Sequence, residues 1–307
     1  MSRKLRVGVL FGGRSGEHEV SLMSAASVIK AIDRSQYEIV PIGIAKDGRW
    51  LIGGDPLATL SLGEVTDSDC AVLPPHPAAN AVLSYDAAQP NRFKSERVPL
   101  DVVFPVLHGP MGEDGTVQGL LELAELPYVG SGVLGSAVGM DKVAMKAVFR
   151  DAGLDVVDQV VAYRREVERE LDALVARVGE RLGYPCFVKP ANMGSSVGIT
   201  KAHDAGELPA ALREAARYDR KILIEAAAQD CREIECAILG NDDPEASVLG
   251  EILPAGEFYD YHSKYFDDRS GLVIPADLDP ATTKRVQEAA VRAFRAVDGA
   301  GLARVDF

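Results

Sequence analysis

The stretch Phe187-Val188-Lys189-Pro190-Ala191-Asn192-Met193-Gly194-Ser195-Ser196-Val197-Gly198-Ile199 carries the most specific structural signal in the chain. A short apolar strand ends at Lys189, and a glycine- and serine-rich reversal then leads into another strand. A lysine at a strand end supplies positive charge, while backbone N–H and hydroxyl groups in the reversal are donors for phosphate oxygens. A plain glycine hairpin is the alternative, but it does not account for the lysine. The segment therefore predicts a polyphosphate site at Lys189, Ser195 and Ser196.

The residues on either side of this stretch predict a central lobe that mixes strands and helices. Asp141 is the expected N-cap of a helix, and Gly153 follows its end. Lys142 begins this helix and is a second candidate phosphate ligand, although by itself it also fits a solvated surface lysine. The lobe spans residues 131–226, with strands expected near 156–163, 186–189 and 221–226 and helices at 166–181 and 204–218.

Residues 1–130 show strand–helix alternation, which predicts an open parallel α/β sheet. A short apolar run at 5–11 ends at glycines and is typical of a buried parallel strand. Further strands are expected at 37–44 and 102–107. The proline-containing stretch 53–96 is interpreted as a surface excursion with little chemistry.

Two loops, a first loop at 11–21 and a second loop at 107–116, follow strands of this sheet at the edge where open α/β sheets bind ligands. The first loop matches neither a dinucleotide fingerprint nor a Walker P-loop. Its carboxylates, Glu17 and Glu19, lie at the start of a helix, where they could bind the ammonium group of a ligand. The alternative is a tight turn followed by a charged, solvated helix start. The second loop contains His108, for which a structural role is the alternative to a catalytic one.

Residues 227–307 predict a third lobe, with antiparallel strands near 233–239 and 247–253 and an amphipathic helix after Asp279-Pro280. The irregular segment around Tyr265 contains three tyrosines and Lys264, and its length is typical of an active-site lid. Near the end, Arg304 and Asp306 lie on one face of a strand. An arginine there could bind a carboxylate or a developing oxyanion, and an aspartate could bind Mg²⁺. A surface ion pair between the two residues is the alternative.

Composition excludes several classes of protein. The 307 residues are 47% hydrophobic and 26% charged, which is typical of a globular protein and excludes collagen-like and disulfide-scaffold chains. With 33 basic and 46 acidic residues the net charge is −13, so no nucleic-acid or anionic-membrane partner is expected. The four cysteines form no C-x-x-C pair. No signal-peptide core or apolar run of about 20 residues is found, and a cytoplasmic location is expected.

Taken together, these segments resemble the D-alanine–D-alanine ligase family of the ATP-grasp superfamily. The strings occur in the family's order over nearly the whole chain. They are Gly-Gly-Arg-Ser-Gly-Glu-His-Glu-Val-Ser at 12–21, Leu-His-Gly at 107–109, Gly-Glu-Asp-Gly-Thr-Val-Gln-Gly at 112–119, Tyr-Val-Gly-Ser-Gly at 128–132, Met-Asp-Lys at 140–142, Lys-Pro through Gly-Ser-Ser-Val-Gly at 189–198, Tyr-Asp-Tyr-His-Ser-Lys-Tyr at 259–265 and Ala-Arg-Val-Asp-Phe at 303–307.

The resemblance implies an α/β ATP-grasp fold of three lobes, with the nucleotide between the central and C-terminal lobes. It also implies a reaction in which ATP phosphorylates one D-alanine and the amine of a second attacks the acyl phosphate. ATP and Mg²⁺ (or Mn²⁺) are the implied cofactors. A homodimer is the implied assembly.

The resemblance also implies residue roles. Those for substrate and catalysis are Glu17 for the first ammonium (with Glu19 as the alternative register), His108 near the first carboxylate, Ser195 and Tyr265 as hydrogen-bonded partners of Glu17, and Arg304 for the oxyanion. Those for the nucleotide are Lys142, Lys189 and Lys264 for phosphates, Ser195 and Ser196 in the loop, and Glu225 and Glu233 for adenine and ribose. Asp306 matches the first magnesium carboxylate. Tyr265 favours the dipeptide product.

The family pattern continues beyond Asp306 with a Glu-x-Asn pair for the metal, so the sequence is expected to be a truncated and weakly active form. Two alternatives remain open. One is an ATP-grasp ligase for another acid and amine, and the other is a non-catalytic nucleotide-binding remnant.

Overall fold

The computed structural model describes residues 3–63, 70–77, 81–86, 93–253 and 271–307. Contacts divide the chain into two compact units, residues 1–136 and 137–307. The finer division expected at residues 130 and 226 stays a prediction. Within the described ranges, no helix combines the length and the apolar character that a bilayer span requires.

The first unit is built on one seven-stranded sheet with helices on its faces. Its strands are β1 (Leu5–Gly12), β2 (Tyr37–Ile44), β3 (Trp50–Ile52), β4 (Cys70–Val72), β5 (Ala81–Tyr85), β6 (Phe93–Pro99) and β7 (Val102–Leu107). Its helices are α1 (His18–Ala31), α2 (Pro56–Leu62) and α3 (Thr116–Leu123), and α4 (Val133–Met140) crosses the boundary between the units.

The sheet order is β6-β5-β4-β3-β2-β1-β7. β1 pairs in parallel with β2 and β7, which confirms the open parallel core. The strands β3 to β6 then extend the sheet in antiparallel fashion. The interpretation of 53–96 as a surface excursion was therefore wrong for β4, β5 and β6. Buried residues such as Cys70 and Val82 join these short strands to the core, and the prolines around them obscured the pattern.

β1 shows why this sheet can carry a site at its edge. Its last six residues are all buried, because core clusters cover both faces of the sheet. β1 and β7 run in parallel, with Gly12 opposite Leu107, so their carboxyl ends meet at one edge. The first and second loops therefore begin side by side.

The second unit contains two four-stranded sheets, with orders β10-β9-β11-β8 and β14-β13-β12-β15. All of their pairings are antiparallel. The strands are β8 (Gln159–Tyr163), β9 (Cys186–Pro190), β10 (Thr200–Ala202), β11 (Lys221–Ala226), β12 (Glu233–Gly240), β13 (Glu245–Leu253), β14 (Gly271–Val273) and β15 (Gly301–Asp306). The helices are α5 (Lys142–Asp151), α6 (Arg164–Arg169), α7 (Leu171–Arg181), α8 (Leu208–Tyr218) and α9 (Pro280–Ala296).

α9 covers one face of the last sheet. Its buried residues Ala290, Ala293 and Phe294 share a core cluster with the alternate β12 residues Ile234 and Cys236. Side chains alternate along a strand, so the other residues of β12 and β15 point to the opposite face. That face carries Glu233, Glu235, Arg304 and Asp306.

Candidate active site

Glu17 is the buried carboxylate of the first loop. It occupies the N-cap of α1 and is 5% exposed. The second loop lies against it. Gly109 has φ of +71°, and a Cβ at this position would lie 2.2 Å from Glu17 Oε2. Only a glycine at 109 therefore leaves room for the Glu17 carboxylate.

Serines of the first unit hold the two loops together. Ser15 Oγ donates to the His108 carbonyl at 2.7 Å and accepts from the Glu17 N–H at 3.2 Å. Ser24 on α1 places its Oγ 3.1 Å from His108 Nε2. Neither serine was predicted as a site residue, although Ser15 lies two residues before Glu17 and Ser24 lies about two helical turns after it.

His108 borders a cavity of about 380 Å³ that Gly13, Leu107 and Thr116 also line. The second loop is stabilised by its own carboxylates. The Gly109 N–H donates to Glu113 Oε2 at 2.6 Å, and the Met111 N–H donates to Asp114 Oδ2 at 2.8 Å. His108 is thus presented on a fixed loop at the carboxyl edge of the parallel strands.

Glu19 differs from Glu17 in its surroundings. Its side chain is 56% exposed and pairs with Lys46. The Lys46 hydrogen bond lowers the pKa of Glu19. Burial therefore favours Glu17 over Glu19 as the carboxylate that a ligand's ammonium would meet.

Lys142 lies at the first position of α5, where Asp141 caps the helix by accepting from the N–H groups of Val143 and Ala144. Its ammonium donates to the Met193 carbonyl at 2.6 Å. Burial, with the charge of Lys189 adding to it, lowers the pKa of Lys142 from 10.5 to about 8. A phosphate oxygen that accepts a hydrogen bond from the Lys142 ammonium would stabilise the charged form of this lysine.

Glu225 organises the lysines of the second unit. In the β9–β11 register Glu225 pairs with Phe187 and Leu223 with Lys189, so Glu225 and Lys189 are diagonal neighbours. Lys189 Nζ lies 2.5 Å from Glu225 Oε2, and the Lys146 ammonium contacts the other oxygen. Burial opposes the ionisation of Glu225, but the two ammonium groups outweigh it and keep the pKa of its carboxyl below the ordinary value.

The serine and glycine reversal after β9 has an unusual backbone. Ser195 and Ser196 have φ of +45° and +60°, and Gly198 has φ of +72°. Residues with this left-handed backbone conformation turn neighbouring N–H groups toward a common point, which is a frequent anion-binding arrangement. The loop is anchored at its start, where Asn192 donates its N–H and its Nδ2 to Asp219 Oδ2 at 2.9 Å each.

The open face of the last sheet carries a cluster of charged groups. Arg304 donates Nε and one terminal nitrogen to the two oxygens of Asp306, at 2.8 and 3.0 Å. It also lies 3.2 Å from Glu235 Oε1. A cavity of about 300 Å³ is lined by Lys189, Ser196, Glu233, Glu235 and Asp306, among others.

Comparison with known proteins assigns the chain to a family. A family model described as the D-ala D-ala ligase N-terminus matches residues 6–131, and one described as the D-ala D-ala ligase C-terminus matches residues 148–307. The chain belongs to the D-alanine–D-alanine ligase family. The resemblance inferred from the sequence and the ATP-grasp fold class are thereby confirmed.

Individual relatives agree with this family. The chain is 52% identical over 306 residues to the D-alanine–D-alanine ligase of Thermoanaerobacter sp. (strain X514), covering 99% of this chain and 83% of the relative. The ligase of Heliobacterium modesticaldum is 49% identical, at 99% and 81% coverage. Among solved structures, the VanG D-Ala:D-Ser ligase from Enterococcus faecalis gives a TM-score of 0.84 at 35% identity, covering 99% of this chain and 86% of that one. The D-alanine–D-alanine ligase from Coxiella burnetii gives 0.81 at 36%, covering 100% and 81%.

The residues expected of a D-alanine–D-alanine ligase fall into groups within each unit. Glu17 and His108 lie on adjoining loops of the first unit. Lys142, Lys189, Glu225 and the loop of Ser195 and Ser196 lie near one another in the second unit, and Glu233, Arg304 and Asp306 share a sheet face. Tyr265 and Lys264 lie outside the described residues. Their roles stay predictions.

The metal site expected at Asp306 is not complete in the described part of the chain. Mg²⁺ prefers near-octahedral oxygen coordination. No group of three or more histidine, cysteine, aspartate or glutamate residues suited to a metal ion occurs among the described residues. Arg304 also binds both oxygens of Asp306. These residues therefore do not fit a metal ion by themselves.

Proposed function

We propose that this chain is an ATP-dependent ligase that joins two D-alanine molecules into D-alanyl-D-alanine, through an acyl phosphate, for peptidoglycan precursors. The observation that carries the proposal is the lysine cluster around Glu225 beside the Ser195–Ser196 loop, in a chain of this family. Such a cluster gives an otherwise acidic protein a local site for a polyanion.

The chemistry needs two kinds of site, because a carboxylate is a poor electrophile until one of its oxygens becomes a leaving group. The amino-acid site is proposed at Glu17, whose buried carboxylate suits the ammonium of the first D-alanine, with His108 near its carboxylate. Catalysis then rests on orienting the carboxylate toward the γ-phosphate and neutralising charge as the phosphoryl group transfers.

The nucleotide site is proposed in the second unit. Lys142 and Lys189 would accompany the phosphates, with the N–H groups of Ser195 and Ser196 as further donors. Glu225 and Glu233 are proposed for adenine and ribose. Lys264 and Tyr265, from the undescribed segment, complete the family's set.

Arg304 is proposed to stabilise the oxyanion that forms when the second amine attacks the acyl phosphate. In the structure its guanidinium is held by Asp306 and Glu235, so those carboxylates orient it along the open sheet face. Asp306 is proposed as one carboxylate for Mg²⁺ or Mn²⁺, which it could hold only together with further ligands and after release from Arg304. A cytoplasmic homodimer is the assembly that we propose, and sedimentation velocity tests its mass.

The proposal is tested by measuring phosphate release from ATP with D-alanine, with L-alanine and without amino acid. We expect release only with D-alanine, and chromatography should identify D-alanyl-D-alanine. Glu17→Gln should raise the KM for D-alanine about tenfold or more, because a charge-assisted contact to the ammonium is lost. Glu19→Gln is the matched control and should behave like the unmodified chain. Equal release with both enantiomers would refute the assignment, and ATP binding without turnover would favour a nucleotide-binding remnant.

A second candidate for the acceptor amino acid is D-serine, because a D-Ala:D-Ser ligase is 35% identical to this chain. A competition assay with equal D-alanine and D-serine decides between them. Mainly D-alanyl-D-alanine is the expected product. A D-alanyl-D-serine majority would reassign the second substrate and leave the ATP-dependent chemistry unchanged.

A further inference from the structure

Lys146 is a mostly buried cation that none of the sequence motifs singles out. It lies one helical turn after Lys142 on α5, at a spacing that puts both side chains on one helix face. Its side chain is 14% exposed, and its ammonium contacts Oε1 of Glu225, which is 5% exposed. Lys189 approaches the other oxygen, Oε2, at 2.5 Å. One carboxylate is thus held between two lysines from different elements.

The three groups have a net charge of +1, and Lys142 makes the local charge +2. Lys189 is 24% exposed and lines the cavity of about 300 Å³, while Lys146 approaches Glu225 from α5. Burial lowers the pKa of Lys146, and the charges of Lys189 and Arg150 oppose the attraction of Glu225 for it. Holding a second lysine here is therefore costly, which points to a use beyond balancing one carboxylate.

The competition for Glu225 suggests that use. With Lys146 present, one oxygen of the Glu225 carboxylate already has a cationic partner. The negative charge of Glu225 is then divided between two ammonium groups and attracts Lys189 less strongly. Without Lys146, Glu225 and Lys189 would form an exclusive pair with no net charge in a poorly solvated place. A phosphate would then have to break that pair before Lys189 could donate to it.

We propose that Lys146 is a positioning residue for nucleotide binding, which fixes Glu225 and thereby keeps the Lys189 ammonium available to phosphate oxygens. This inference rests on the proposed ATP site. Lys146 acts through Glu225 and makes no contact with the nucleotide itself.

The test is a double-mutant cycle on Lys146→Met and Glu225→Gln, read by calorimetric titration with a non-hydrolysable ATP analogue. Lys146→Met should weaken binding about tenfold, the size of one charged hydrogen bond. In the Glu225→Gln background the same change should have less than about a twofold effect, because the carboxylate that captures Lys189 is gone. Lys146→Arg should bind within about threefold of the unmodified protein, since it keeps the charge.

Steady-state kinetics supply a second readout. Lys146→Met should raise the KM for ATP and leave the KM for D-alanine unchanged. Arg177→Met is the control, because it removes another ion pair of the same unit, with Glu166, and should leave the ATP affinity unchanged. If Lys146→Met does not fold, Lys146→Gln takes its place in the cycle.

Equal weakening by Lys146→Met in both backgrounds would overturn the inference, because the loss would then be independent of Glu225. Unchanged affinity in the single variant would overturn it as well, and so would an equal loss of affinity for adenosine, because that loss would come from the adenine contact proposed for Glu225 and not from Lys189. Failure of the unmodified protein to bind the nucleotide would instead overturn the proposed ATP site, and this inference with it.

Discussion

At position 109 the backbone leaves no room for a side chain. A Cβ there would lie 2.2 Å from Glu17 Oε2, and the φ of +71° is itself costly for alanine. We predict that Gly109→Ala displaces the Glu17 carboxylate and raises the KM for D-alanine at least tenfold, about the loss expected for one charged contact. Initial rates at varied D-alanine and saturating ATP measure it.

Gly63→Ala separates backbone strain from displacement of the carboxylate. Gly63 has nearly the same φ, +70°, but a Cβ there would meet nothing within 4 Å. Both variants should lose about 1–2 kcal/mol of stability from the left-handed backbone. Only Gly109→Ala should change the KM, and an unchanged KM in that variant would show that the loop yields at no cost to Glu17.

The lowered pKa of Lys142 predicts how the affinity for ATP depends on pH. The pKa of this lysine in the free protein is about 8, against an ordinary value of 10.5. Bound phosphate favours the protonated form, so ATP affinity should change little between pH 7 and just below pH 8. It should then fall by up to about tenfold per pH unit above that, because free Lys142 has lost its proton.

Calorimetry at pH 7, 8 and 9 in two buffers of different ionisation enthalpy checks this prediction. Proton uptake per bound ATP should rise toward one at pH 9. Lys142→Arg keeps its charge throughout this range and should flatten the profile. A profile that is equally steep in both proteins would assign the titration to another group.

Among the secondary-structure elements, α5 has its start fixed by the Asp141 carboxylate, which both caps the helix and forms an ion pair. Asp141 accepts from two helix N–H groups at 3.1 Å and pairs with Lys221 at the start of β11. Burial opposes the ionisation of Asp141, but the hydrogen bond and charge of Lys221, together with the N–H groups of Val143 and Ala144, outweigh it and lower the pKa of the carboxyl. The stability that this group contributes is therefore present at neutral pH and lost as the pH falls through its folded pKa.

We predict that Asp141→Ala costs about 2–3 kcal/mol, because the cap contributes about 1 kcal/mol and a mostly buried lysine loses its partner. Asp279→Ala is the matched control, since Asp279 caps α9 with the same two-bond geometry at 3.0 Å but at an exposed position. Its cost should be about 1 kcal/mol. Urea unfolding measures both, and equal costs would mean that Lys221 contributes nothing.

Elements with a local signal were predictable from the sequence. The parallel strands β1, β2 and β7 are apolar runs that end at loops, and the Asp141 cap follows from its position before a helix. The short strands β3 to β6 were not predicted, because strands of three to seven residues owe their pairing to neighbours far along the chain.

The same distinction applies to the site. Lys142 and Lys189 were found from their places at a helix start and a strand end. The contact of Lys146 with Glu225 was not found, because it depends on how α5 lies against β11. The sequence hints at this contact only through the spacing of Lys142 and Lys146, which lie four residues apart and so share one face of a helix.

For the whole molecule, the charge distribution sets how binding responds to salt. The chain carries a net charge of −13, while the proposed nucleotide site holds Lys142, Lys146 and Lys189. Long-range repulsion of ATP acts through solvent and is screened as the Debye length falls from about 30 Å at 0.01 M to about 8 Å at 0.15 M salt. The short-range attraction of partly buried lysines is screened much less.

We therefore predict that the affinity for ATP without added metal ion stays constant or rises by up to about threefold between 10 and 150 mM tetramethylammonium chloride. This bulky cation raises the ionic strength and avoids specific effects of smaller cations. Binding by an exposed basic patch would respond in the opposite way, because salt weakens an attraction that acts through water. A tenfold fall in affinity over this range would mean that exposed groups, and not the lysines around Glu225, supply the attraction for phosphate.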